Sequence, residues 1–486
     1  MSNSVVLPGA VAPGLSRRGW ATLLVLSAVV FLDALDVSMV GVALPSIRTN
    51  LHMSTSSLQW VVSAYVLGYG GFLLLGGRAA DLLGRRRVLL IALGVFVVAS
   101  ALGGLTNDGT LLIATRFIKG VSAAFTAPAA FSIITTTFAE GPARNKAMAV
   151  YTATAASGFS LGLVAGGLLT EIGWRWALLV PAPVALAALI AAYRLVPTGA
   201  VTEAVRARID VLGAVLLTSG MLLLVYTLVE TASAGWGSVR TLASFATVAA
   251  ILAAFIRQEQ RTPEPLIRLG ILRSSTLVRA NVAAMVLAGW IGFQFVATLY
   301  MQQLRGWSSL QTGLAIFPTG LLVVLVSPRI ALLIGRVSVS RLAAGGLASL
   351  AIGYALFLPI GLDSSYAWAM LPTFLFGGLG FALAFGPINV AATAGVAPEE
   401  QGLAGGLLNT SFQFGAALVL AVVTAVASAA TGSGGTPQAT LDGFHAALFV
   451  PLAAAAIGAS ALLFQRSRAL EVVEFPAVED VVEEAA

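Results

Sequence analysis

Long apolar runs broken by short polar segments dominate the chain. Fourteen stretches are long and apolar enough to cross a bilayer as helices, which takes ~20 residues each. They cover roughly 20–43, 57–76, 87–105, 110–133, 147–170, 175–195, 210–229, 241–256, 278–300, 311–334, 342–360, 367–391, 403–428 and 444–464. The runs are continuously apolar and too long for the tilted, alternating strands of a membrane barrel. The pattern therefore predicts an all-α integral membrane protein.

Composition supports this and narrows it. Of 486 residues, 58% are hydrophobic and 10% charged, with a mean hydropathy of +0.93. Soluble domains carry about a quarter charged residues, so an ordinary soluble fold is excluded. The 51 glycines lie within the apolar runs, as expected of helices packed closely in lipid. There is no cysteine, which excludes disulfides, thiolate metal sites and cysteine nucleophiles. With only His52 and His445 as histidines, no metal or other cofactor is expected.

Charge placement gives an orientation. With residue 1 in the cytoplasm, 21 of the 27 Lys and Arg fall in inside loops. Arg48, Arg175, Arg240 and Arg305 fall outside, and Arg116 and Lys119 within the fourth span. The positive-inside rule then predicts fourteen spans in the cell membrane with both termini cytoplasmic. The net charge of +6 is thus a topology signal, and no nucleic-acid partner is expected. Arg17 and Arg18 precede a first span holding Asp33 and Asp36, and we read no cleaved signal there.

The spans group as six, two and six. The sequence divides into a six-helix bundle (1–197), two extra helices (198–258), a second six-helix bundle (259–470) and an acidic cytoplasmic tail (471–486). The loop GGRAADLLGRRRVLL (76–90) has a degraded echo, SPRIALLIGRVSVSRL (327–342). Two similar halves in parallel order suit a transporter that rocks around a midplane site.

Two acids and two bases lie inside spans. Asp33 and Asp36 sit three residues apart on one face of span one, and Arg116 and Lys119 likewise in span four. Intramembrane charges cost at least ~2.5 kcal/mol each and mark function by default. At 1.5 Å per residue, Asp36 and Arg116 both lie about 10 Å from the outer surface, with Asp33 and Lys119 about 15 Å down. If the two spans are neighbours, Asp36 pairs with Arg116 and Asp33 with Lys119. Such pairs are either a static brace or a proton site, in which motion relative to the cation loads and releases a proton.

At this point the residues resemble a family. The 76–90 loop is similar to the G-x-x-x-D-x-x-G-R-[RK] signature of the major facilitator superfamily, at Gly77, Asp81, Gly84, Arg85 and Arg86. The two glycines suit tight turns, and Asp81 suits a helix cap that pairs with a cation to gate the cytoplasmic side. LDVSMVGVALPSI (35–47) and RFIKGVSAA (116–124) resemble the span-one and span-four signatures of the drug:H+ antiporter branch with fourteen helices. The resemblance implies that Asp36 and Arg116 act in proton coupling. Here Lys119 replaces the usual Gln. GFSLGLVAGGLL (158–169) resembles the span-five antiporter signature through Gly158, Gly162, Gly166 and Gly167, with Leu163 in place of its Pro.

The family resemblance implies a major facilitator fold, two six-helix bundles with two helices between them. It also implies a monomeric secondary exporter of drug-like or antibiotic small molecules in exchange for protons. Trp290, Phe293, Gln294 and Tyr300 in span nine, with Asn389, Asn409 and Gln413, are candidates to line a cavity for amphipathic or cationic substrates. No phosphate-binding loop of the ATPase type is present, and no clustered nucleophile, base or metal set suggests an enzyme. A proton-coupled importer of a small metabolite and a non-transporting membrane sensor or scaffold remain as rival readings.

Overall fold

The computed structural model describes residues 17–463 apart from 139–141, 198–209, 236, 263–264, 266–268, 334–335, 395, 397–400 and 433–435. The acidic tail and most of the linker at 198–209 therefore lie outside the described residues. Helices form because in lipid every backbone N–H and C=O must be satisfied within the segment. Six helices come first: α1 (Arg17–Leu51), α2 (Thr55–Leu83), α3 (Arg85–Leu105), α4 (Gly109–Thr137), α5 (Pro142–Ile172), and a sixth broken into α6 (Trp174–Leu179) and α7 (Pro181–Leu195). Two follow, α8 (Val211–Ala234) and α9 (Val239–Arg261). The last six are α10 (Ser275–Leu287) continued by α11 (Gly289–Leu299), α12 (Ser309–Leu333), α13 (Val339–Phe357), α14 (Leu371–Thr393), α15 (Gln401–Thr431) and α16 (Pro437–Leu463). We call the end where α1 begins proximal and the other end distal.

Among the described residues, twelve helical segments are long and apolar enough to span a bilayer, with shorter apolar stretches at 157–172 in α5 and 211–224 in α8. Each stretch read from the sequence coincides with a helix, and α12 runs on through Pro318 and Pro328. The helices outrun the apolar stretches because polar caps close them beyond the hydrocarbon. Asp108 accepts from the Leu111 N–H at 2.7 Å to start α4, and Asp210 accepts from the Gly213 N–H at 2.8 Å to start α8. Such caps satisfy N–H groups that have no partner within the helix.

The six-plus-six repeat is visible in the packing. In the first half α1 packs on α5, α2 on α4, and α3 on both α4 and α7. In the second half α10 packs on α15, α12 on α14, and α13 on both α14 and α16. This is the same pairing scheme shifted by one bundle. The halves meet along two seams that are also equivalent, α5 against α12 and α2 against α15. The extra hairpin lies along the second seam. Its α8 touches both α2 and α15, and Thr218 donates to the Gly71 carbonyl at 2.8 Å.

Candidate functional site

The intramembrane charges come together where α1 meets α4. Helix α4 is held against α2 at a close crossing. A methyl group on Gly120 would collide with the Tyr65 carbonyl, so the glycine is what lets the backbones approach. This places the Arg116 and Lys119 side chains across from α1. Arg116 donates through Nη1 to Asp36 Oδ2, and Lys119 donates through Nζ to Asp36 Oδ1. Arg116 is further fixed by its Nε, which donates to the Val61 carbonyl at 3.1 Å, and by the Tyr65 ring, 4.7 Å from the guanidinium carbon. The Lys119 ammonium lies 4.6 Å from the centre of the Phe96 ring. Asp36 is 0% exposed.

The pairing expected from depth is therefore half right. Asp36 meets Arg116, but Lys119 also binds Asp36 and not Asp33. Depth along two helices does not fix azimuth. The flexible four-carbon stem of lysine spans the turn of α1 that separates the two acids, and both cations converge on one carboxylate. Asp33 turns towards the next part of α4, where the Thr126 hydroxyl donates to its Oδ2 at 3.4 Å. It is 8% exposed. Tyr65 and Tyr69 on α2 and Tyr151 on α5 are its electrostatic neighbours. These tyrosines were not singled out from the sequence; two of them, Tyr65 and Tyr69, lie one helical turn apart within an apolar span, which is the signal that could have found them. Nothing in the sequence pointed to Val61, Phe96 or Thr126.

The motif loop is placed at the proximal end. Only one of its two glycines makes a turn. Gly84 separates α2 from α3 with φ +91°, a left-handed value that glycine adopts without steric cost. Gly77 instead continues α2, where a methyl group would lie 3.8 Å from Pro128 on α4. The expected turn is absent there because the helix runs on to Leu83. Arg85 opens α3. Arg86 donates to the Tyr193 carbonyl and lies 5.3 Å from the centre of the Tyr193 ring, which ties α3 to α7. The side chain of Asp81 is outside the described residues.

The span-five glycines face two ways. Gly158, Gly162 and Gly166 abut Phe31, Leu35 and Met39 of α1, while Gly167 abuts Ser309 and Leu310 of α12. Leu163, at the position of the family's Pro, presents its carbonyl to Gly313 of α12. Helix α5 thus joins the charged helix α1 to the opposite half.

The distal ends of the two halves are stitched together. Arg48 donates to Gln303 Oε1 at 3.2 Å, and Gln302 donates to the Val42 carbonyl at 2.9 Å. Glu171 Oε1 accepts from the Leu310 N–H at 3.1 Å, in the first turn of α12. Above these contacts lies a cleft of about 1090 Å³ lined by residues that include His52, Trp174 and Trp307.

The remaining candidates separate. Trp290, Phe293 and Tyr300 pack into the core of the second half, not along an open wall. The Phe293 ring lies 5.0 Å from Trp290, 5.1 Å from Tyr354 and 5.2 Å from Phe357, and Tyr300 donates to the Gly361 carbonyl at 2.6 Å. This face meets α13 through Tyr354 and Phe357 and α14 through Phe374. Gln294 points to the first half, 3.5 Å from where a methyl on Gly41 would stand. Gln413 lies against Gly70 on the α2–α15 seam. Asn389 and Asn409 donate to carbonyls of their own helices, Phe385 at 2.8 Å and Gly405 at 3.1 Å.

This architecture has known counterparts. A family model described as Major Facilitator Superfamily matches residues 26–420. The chain belongs to the major facilitator superfamily. It is therefore a multi-pass membrane transporter and not an enzyme. The chain is 38% identical to the puromycin resistance protein of Streptomyces alboniger, over 91% of this chain and 89% of that protein. It is also 38% identical to the cephamycin export protein of Amycolatopsis lactamdurans, over 87% of each. The nucleoside transporter NupG shares the fold at 12% identity, with a TM-score of 0.65 over 91% of this chain and 99% of that one.

Proposed function

We propose that this superfamily member exports drug-like or antibiotic small molecules in exchange for protons. The observation that carries the reading is the buried cluster of Asp36, Arg116 and Lys119 on α1 and α4, in a chain whose relatives are named for resistance to, or export of, antibiotics. A carboxylate, a guanidinium and an ammonium buried together have no packing advantage over apolar residues of similar volume. Their retention within lipid fits a working charge site.

In this reading the chain crosses the cell membrane fourteen times as a monomer, with both ends and the proximal face in the cytoplasm. The distal stitches then hold the two halves together on the outer side. Substrate enters from the cytoplasm between the halves, along a path to which Gln294 and Gln413 contribute polar groups among apolar walls. A proton taken up at the acids of α1 shifts the balance between inward-open and outward-open forms through its different interaction with each. Helix α5 couples that shift to α12. The 77–86 loop gates the cytoplasmic side.

The test uses proteoliposomes with an imposed pH gradient and a trapped pH dye. Puromycin and a cephamycin are added in turn. Proton movement that depends on substrate, with substrate moving the opposite way, is the expected result. Substrate moving in the same direction as the proton would overturn export in favour of import, and no substrate-dependent proton movement would overturn the coupling.

A further inference from the structure

The two acids of α1 stand in different surroundings, and the difference divides their labour. We propose that Asp33 is the carboxylate that binds and releases the transported proton, while Asp36 stays ionised as the anchor of Arg116 and Lys119. This assignment rests on the proton-coupled reading above and names the atom group that carries the proton.

Both oxygens of Asp36 are engaged, one by each cation, and the residue is closed to solvent. Adding a proton to it would leave a guanidinium and an ammonium buried without an anion in contact. Removing one partner of a buried pair is strongly destabilising, because it leaves the other charge uncompensated. Asp33 has no such constraint. Among the described residues its side-chain hydrogen-bond partner is the Thr126 hydroxyl, at 3.4 Å, and no cation pairs with it. It also keeps a small open surface, whereas Asp36 has none.

The groups around Asp33 can receive a neutral carboxyl. From α2 they are Tyr65 and Tyr69, from α5 Tyr151, and from α4 Thr126, with Lys119 beyond. Asp36 lies one turn along α1. The Tyr65 hydroxyl, an electrostatic neighbour of Asp33, is buried and has no hydrogen-bond partner among the described residues.

Charge also balances. With all four groups ionised, Asp33, Asp36, Arg116 and Lys119 sum to zero. A proton on Asp33 converts its carboxylate to a carboxylic acid, breaks no other bond and leaves one uncompensated positive charge beside Lys119. That excess charge in a low dielectric is the signal by which loading disturbs the α1–α4 contact.

The experiment is an infrared titration of the full-length protein in lipid nanodiscs, following the protonated-carboxyl band of acids in apolar surroundings. We expect this band to rise on acidification, to vanish in Asp33→Asn, and to persist in the double variant Asp36→Asn/Lys119→Gln, which removes one charge of each sign. Retention of thermal stability in each variant shows that loss of the band is not loss of fold. A band that survives Asp33→Asn and vanishes in the double variant overturns the assignment, as does a wild type without the band. Proton movement driven by puromycin separates the two readings. If it survives Asp33→Asn, Asp33 is not the carrier and export stands. If wild type shows the Asp33 band but no such movement, the export reading fails and the proton site stands.

Discussion

The two six-helix halves pair their helices in the same scheme but fill their cores with opposite chemistry. Where α1 meets α4 in the first half, the centre holds Asp36, Arg116 and Lys119, with Asp33 a turn away. In the second half the core beside the equivalent first span holds Trp290, Phe293, Tyr354, Phe357 and Phe374 in edge and tilted ring contacts. At this position the first half places ionisable groups and the second places rings. On the proposed reading, the first is a coupling half and the second a rigid half. On the same reading, the seam helices α5 and α12, packed against each other, carry movement between them.

That contrast can be broken at either side. The largest effect is expected from Arg116→Ala, which strips one cation from a buried carboxylate. Losing one partner of a buried pair costs roughly 3–5 kcal/mol, so thermal unfolding in detergent should show a marked loss of stability together with loss of proton movement. Phe293→Ala opens a cavity among four rings in the other half. Its cost is of similar kind, about 3–5 kcal/mol, but proton movement per folded molecule should stay at the wild-type level. If Phe293→Ala uncouples protons without unfolding the chain, the division of labour between halves is wrong.

A smaller effect is expected at the α1–α5 contact. Gly162→Ala drives a methyl group into Ser38 and the Leu35 carbonyl, and overpacking of this kind costs about 1–3 kcal/mol. Reduced turnover with unchanged substrate binding would show that α5 transmits movement. The smallest effect belongs to Glu171→Gln. It weakens one charged acceptor at the start of α12, a matter of roughly 1 kcal/mol. Spin labels on the distal ends of α5 and α12 should then report a larger share of the distal-open form. An unchanged distance distribution would show that the stitch does not set the balance.

The fold was written plainly in the sequence. Apolar runs of span length have no other way to satisfy their backbones in lipid, and every stretch coincides with a helix. The breaks within spans at Val180 and Ala288 were not visible, because each is a local turn inside an unbroken apolar run. The charged site was legible in its members but not in its pairing. Arg116, Lys119, Asp33 and Asp36 declared themselves by the cost of placing them in lipid. Which oxygen each cation reaches depends on helix rotation, and sequence periodicity does not record that. The aromatic candidates misled for a related reason. Trp290, Phe293 and Tyr300 have the composition of a ligand wall and of a packed core alike, and the ring contacts with α13 and α14 decide for the core. The glycines of span five were legible as small residues, while the turn of Gly167 towards the other half follows from the bundle-to-bundle seam.

The most direct test of the coupling half against the rigid half is proton movement driven by puromycin in proteoliposomes, measured side by side for three proteins. The account predicts flux in wild type, flux per folded molecule equal to wild type in Phe293→Ala, and none in Asp33→Asn. Flux in Asp33→Asn equal to wild type, with flux lost from folded Phe293→Ala, would contradict it.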